Sequence, residues 1–324
     1  MNFKTYKEVA RDILASERGA RLLRLDCMNP VKALAAMRPT LPSSLAPVSV
    51  RDLEAAWRTR WSLSEIEGSV RLSTGVRPLL ARLFESFARS GRRVLAPQDV
   101  YPMYLDLAGQ AGVALTTFPT VPRPVLPPIG VGRGSDVLLL PEPLVPLGRG
   151  LDESETAHIQ SWLDEDHERL LLLDCVYTFG ERFTKAAETF LAGGRTILLH
   201  SLAKGFLAPD VAGFAMGPAA VIEELVQDMS DEARAAAAHL LREASDLPQR
   251  LATEFSRRWS NLGRTIDLPA PTTGYFSVVS VNFNDLLARG QLTVPGSVFG
   301  SRAANWSAVT CLLAIGQSQE ASAS

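Results

Sequence analysis

The segment Thr196-Ile197-Leu198-Leu199-His200-Ser201-Leu202-Ala203-Lys204-Gly205-Phe206 decides the reading of this chain. An apolar run of strand length delivers a serine and a lysine, three residues apart, into a turn that contains glycine. A second segment has the same form. Leu170 to Leu173 is four leucines in a row, and it ends in Asp174-Cys175-Val176-Tyr177. A carboxylate at the C-terminal mouth of a buried strand stands where open α/β sheets place ligand-binding groups.

Outward from these two segments the texture repeats. Val70–Ser73, Arg93–Ala96, Ala114–Phe118 and Asp136–Leu140 read as further strands. Helical spacing lies between them, over Val76–Ser90, Tyr104–Gly112 and Glu153–Glu165. Strands apolar throughout and separated by helices predict a mainly parallel sheet covered on both faces. The fold class is therefore α/β. The expected division is an N-terminal helix and Pro/Ser-rich extended arm over 1–48, then a large domain over 49–217. A small α+β domain follows over 218–315, with a helical block at 219–262 broken near Pro248 and a strand over Gly274–Val279. The polar end, 316–324, reads as a disordered tail.

Composition narrows the class. Hydrophobic residues make up 46% of the 324 and charged residues 21%, enough to bury a sizeable core and too ordered for an unstructured chain. The net charge of −2 argues against a dedicated nucleic-acid binder. Cys27, Cys175 and Cys311 are far apart and form neither a disulfide framework nor a zinc spacing, which suits a reducing cytoplasm. The charged N-terminus is not a signal peptide, and no apolar run has the length of a membrane span. The four histidines show no metal spacing. His200 is read as structural and Cys175 as a small core residue.

Five pieces in order give the chain a resemblance: Pro97–Tyr104, Glu142–Gly148, Asp174–Tyr177, Ser201–Lys204 and Pro295–Gly300. Together they resemble the fold-type I pyridoxal-phosphate enzymes, specifically the class I/II aminotransferases, over about residues 50–312. The resemblance implies a large domain with a seven-stranded sheet, pyridoxal 5'-phosphate as cofactor, and a homodimer with the site at its interface. It makes Lys204 the Schiff-base lysine and proton shuttle, Asp174 the partner of the ring nitrogen, and Tyr177 the donor to the ring 3-oxygen. Tyr101 would stack on the ring. Ser73, Thr74, Gly75 and Val76, at the start of a helix, would hold the phosphate with Ser201, and Arg77 could reach the same anion.

Three positions depart from the family pattern. Val145 stands where an asparagine donates to the 3-oxygen. Ala212 stands where an arginine binds the phosphate. Ala308, or Ser307 if the alignment slips, stands where an arginine binds the substrate α-carboxylate, and Arg302 lies nearby. Aminotransfer to or from an amino acid or related amine is the default activity. Lyase, cyclase or decarboxylase chemistry in specialised biosynthesis stays open, as does a catalytically degenerate binding protein.

Overall fold

The structure, a computed structural model, describes residues 1–100, 102–132, 134–264, 266–301 and 305–313. The chain begins with α1 (Phe3–Ala15), β1 (Leu23–Arg24), α2 (Pro30–Ala33) and α3 (Val50–Arg60). The central part runs β2 (Ser69–Ser73), α4 (Val76–Arg89), β3 (Arg93–Pro97), α5 (Met103–Ala111), β4 (Ala114–Phe118), β5 (Val137–Pro141) and α6 (Glu153–Asp164). It continues through β6 (Leu170–Asp174), α7 (Lys185–Ala192), β7 (Thr196–Ser201), α8 (Leu202–Gly205) and β8 (Gly213–Gly217). The last third holds α9 (Ala219–Ile222), α10 (Asp231–Glu243), α11 (Leu247–Leu262), β9 (Phe276–Val279), α12 (Phe283–Ala288), β10 (Gln291–Leu292), β11 (Val294–Pro295) and β12 (Ser307–Thr310).

Seven strands form one sheet in the order β2-β8-β7-β6-β5-β3-β4. β4, β3, β5, β6 and β7 pair in parallel, and β8 runs antiparallel to both of its neighbours. The mainly parallel, seven-stranded α/β sheet expected from the sequence is thus the one observed. Every residue of β5, β6 and β7 is buried. Successive side chains go to opposite faces. Leu138, Leu140, Leu171, Leu173 and Leu198 enter one apolar cluster, while Val137, Leu139, Leu170, Leu172 and Ile197 enter the other. The second cluster is closed by α4 and α5, through Leu79, Leu80, Leu83 and Phe84 of α4 and Leu107 of α5.

Local chemistry sets the helix ends. Asp152 and Glu155 form a reciprocal capping box on α6. Asn2, Ser49, Thr184 and Ser230 cap α1, α3, α7 and α10 through side-chain oxygens. Pro248 does not break the C-terminal helical block where it stands. It lies in the first turn of α11, where proline is tolerated, and the break falls just before it, at Ala244–Asp246. The sequence reading gave no strand at β8 and no helix at α7 or α12. The end called disordered, 316–324, lies outside the described residues.

The N-terminal segment is bound to the last third of the chain. β1 pairs in parallel with β10, and Thr310 N–H donates to the Leu25 carbonyl at 2.9 Å. The Tyr6 hydroxyl donates to the Thr293 carbonyl at 2.9 Å, and Arg18 donates to the Leu287 carbonyl at 2.6 Å. A three-stranded antiparallel sheet, β11-β12-β9, completes this part. No helix of the described residues is long and apolar enough to cross a membrane.

Candidate active site

β6 and β7 are neighbours, and both end at the same side of the sheet. Asp174 is the last residue of β6 and Ser201 the last of β7. Ser201 then starts the four-residue helix α8, which carries Lys204 in its single turn. This is the physical content of the serine–lysine spacing: a strand end, a hydroxyl cap and a lysine projecting from one short helical turn.

Lys204 is largely withdrawn from water. Burial pushes its ammonium below the ordinary lysine range, and the Cys27 thiol acts weakly the other way. The side chain thus holds a larger share of neutral, nucleophilic amine than a surface lysine. Its Nζ lies 5.8 Å from the centre of the Tyr177 ring. Asp174 is 6% exposed. Burial pushes its carboxyl up, opposed by hydrogen bonds from Tyr104 and the Val176 N–H. Tyr104 Oη donates to Asp174 Oδ2 at 2.7 Å, and Val176 N donates to Oδ1 at 3.2 Å. Tyr104 is itself pushed well above the usual phenol range by burial and by Asp174, so it stays a donor. The carboxylate keeps acceptor capacity for a further donor on the cavity side.

Tyr177 packs near Tyr275 and Phe276, and its hydroxyl is hydrogen-bonded to that of Tyr275. Tyr275 gives its one proton to the Met28 carbonyl at 3.1 Å, which leaves Tyr177 the donor between the two phenols.

At the other end, Ser73, Gly213 and Ser201 stand in register across β2, β8 and β7. A Cβ on Gly213 would lie 2.2 Å from the Gly75 carbonyl carbon, so only glycine lets the turn before α4 press against β8. α4 has no side-chain cap and no acidic residue in its first turn. Its first N–H groups are left for another partner.

These groups share one cavity of about 1050 Å³. Lys204, Asp174, Tyr177 and Ser201 line it, as do Thr74, Gly75 and Val76. Ser73 does not: it is buried within β2, and the wall begins one residue later, at Thr74. Tyr101 and Arg302 lie outside the described residues. Val145 does line the cavity, with an isopropyl group and no donor. Ala212 and Ala308 are buried and off its wall. His200 is buried in an aromatic nest, where Trp57 Nε1 donates to its Nδ1 at 3.2 Å, and burial lowers its pKa to about 3. It stays neutral and structural.

The sequence reading missed two parts of this site. One is Tyr104, whose contact with Asp174 joins residues 70 apart in the chain. The other is α1, which lines the cavity with Phe3, Tyr6, Lys7, Ala10, Arg11 and Leu14. The spacing of these six is one stripe of a helix, a signal that was present in the sequence. No cluster of three or more metal-capable side chains occurs among the described residues.

The donor set suits pyridoxal 5'-phosphate: a shielded amine, a buried carboxylate for a ring nitrogen, a phenol, and hydroxyl and N–H groups for an anion. No family model matches the chain, and no curated sequence does. Solved structures match its fold. Thermus thermophilus aspartate aminotransferase, as a double mutant, superposes with a TM-score of 0.72 at 19% identity, over 97% of this chain and 92% of that one. N-succinyldiaminopimelate aminotransferase from Mycobacterium tuberculosis gives 0.71 at 19%, over 96% and 92%. Substrate-bound BacF from Bacillus subtilis gives 0.70 at 19%, over 96% and 91%. At these identities the likeness is one of fold.

Proposed function

We propose that the chain is a pyridoxal-phosphate-dependent enzyme acting on an amino acid or related amine, with aminotransfer as its reaction. The observation that carries this reading is the meeting of Asp174 and Lys204 on one cavity wall, Asp174 buried at the end of β6 and Lys204 half-buried in the α8 turn that follows β7. The cofactor, when bound, supplies an electron sink for charge that develops at the substrate carbon. Lys204 would hold the cofactor through Nζ, and the same amine, when free, would take and return the proton at the substrate α-carbon. Asp174 would keep the ring nitrogen protonated, and Tyr177 would serve the 3-oxygen by turning its one proton from Tyr275 to that oxygen. Val145 leaves that oxygen one donor short of the family pattern. The same reading makes the protein a cytoplasmic homodimer with the cavity at the partner interface.

A second reading is favoured by Ala308. With no arginine reaching the cavity from β12, the substrate's carboxylate has no fixed clamp there, which suits an amine processed by elimination, cyclisation or decarboxylation.

The test is borohydride reduction of the protein mixed with pyridoxal 5'-phosphate, followed by peptide mapping. A pyridoxyl label on Lys204, lost in Lys204→Ala, is the expected result. A label spread over surface lysines, or none, overturns the reading. Screening amine donors and acceptors with the labelled-competent enzyme then separates aminotransfer from the second reading.

A further inference from the structure

The chain lacks the arginine expected at position 212, and the structure offers another cation for the same anion. Ser73, at the end of β2, and Ser201 stand on either side of Gly213, two strand spacings or about 10 Å apart at the backbone. The turn that leads from Ser73 into α4 presses against Gly213. The start of α4 and Ser201 both line the cavity. Two independent observations point to an anion between them. First, the leading N–H groups of α4 have no side-chain cap and no acidic neighbour in the first turn, although the positive end of a helix favours one. Second, Ser201 is 2% exposed. Its Oγ accepts a long 3.4 Å bond from the Ala203 N–H, and its own proton has no acceptor among the described residues.

Arg77 is the second residue of α4, where the helix dipole disfavours a cation. It lines the cavity, and it makes no hydrogen bond or ion pair with a described residue. Most other cations on the wall are engaged. Arg24 is held by Asp26, Arg11 by Asp12, and Lys7 lies over the Phe3 ring. Lys32 stands on α2, beside α8 rather than α4. Asp210 also lines the cavity, and a carboxylate there makes a compensating cation more necessary for any anion.

We infer that Arg77, with the first N–H groups of α4 and the Ser201 hydroxyl, binds a phosphate monoester dianion and stands in for the cation absent at Ala212. This rests on the proposed cofactor reading. A residue that breaks a local rule at a cavity wall is where function is expected to override propensity.

The experiment compares two aldehydes, pyridoxal 5'-phosphate and pyridoxal, which differ only by the phosphate. Affinities are read from the absorbance change on binding, for the wild type, Arg77→Ala and Arg77→Lys. Arg77 is exposed, so neither substitution threatens the fold. The expected result is a loss of roughly ten- to hundred-fold for the phosphate ester in Arg77→Ala, as for a charge-assisted pair. Pyridoxal should bind unchanged, and Arg77→Lys should recover part of the loss. Inorganic phosphate should compete with the ester in the wild type and less so in Arg77→Ala. Equal affinity of the wild type and Arg77→Ala for the ester overturns the inference while leaving the cofactor reading intact. Failure of the wild type to bind either aldehyde overturns both.

Discussion

Tyr104 and Asp174 show what one residue adds to a site. The carboxylate is the kind of group a sequence reveals, because it ends a run of four leucines, and a charge at the close of a buried strand needs a reason. The phenol is the kind a sequence hides. Tyr104 reads as an ordinary helix residue, and only the fold brings its hydroxyl to 2.7 Å from Asp174. Burial raises the Asp174 carboxyl, and the Tyr104 and Val176 donors work against that rise. Tyr104→Phe removes the stronger donor, so the carboxyl should move further up. The ionised form is then reached only at higher pH. The acid limb of a pH profile for pyridoxal phosphate retention should shift upward, with retention at neutral pH roughly ten-fold weaker. A variant that lowers retention equally at all pH values would make Tyr104 a packing residue instead.

At the scale of elements, the strands that end in chemistry were legible and β8, the neighbour of β7 on its other side, was not. β6 and β7 are long apolar runs closed by a polar residue, whereas β8 is Gly213-Phe214-Ala215-Met216-Gly217, bracketed by glycines that read as turns. Those glycines exist because β8 is squeezed from both sides, by the α4 turn at Gly213 and by β7 at Gly217. A second element-level device is Glu142, which follows β5. It is buried, and it accepts from the Leu151 N–H ahead of α6. Burial raises its pKa to about 7, against the Thr184 and Leu151 hydrogen bonds. The folded protein therefore holds this proton more tightly than the unfolded chain, whose carboxyl titrates near 4.5. Its contribution to stability is full below about pH 4.5 and is lost as pH rises through 7. Thermal unfolding followed from pH 5 to 8 should show the wild type losing stability on the order of a few kcal/mol relative to Glu142→Gln. Parallel curves would remove Glu142 from the account.

At the scale of the whole molecule, one apolar cluster runs from the face of the large sheet to the N-terminal segment and the last third of the chain. It joins Leu22 and Leu25 to Phe255, Val294 and Val309. The sequence announced 21–48 as an extended arm, since prolines and serines say only that no regular element is favoured there. What the arm docks against depends on partners more than 250 residues later, which no local pattern encodes. Leu25 is fully buried, and its backbone bonds both β10 and β12. Leu25→Ala should cost about 2–5 kcal/mol. Urea unfolding should show that loss, and pyridoxal phosphate retention should fall with it, because Leu25 belongs to the same apolar cluster as Tyr6 and Ala10 of α1. Retention unchanged at a reduced unfolding midpoint would uncouple the arm from the site.

The β1–β10 pair also sets a timetable. Leu23 leaves the ribosome well before its partner Gln291, which lies about 270 residues further along the chain. At ordinary translation rates the nascent N-terminus waits on the order of tens of seconds for that strand. Throughout that interval the apolar stripe of α1 has no wall to complete. A growing chain bearing a finished central sheet is thus still open where the cofactor would enter. The amphipathic first helix is then the segment most in need of a chaperone's cover.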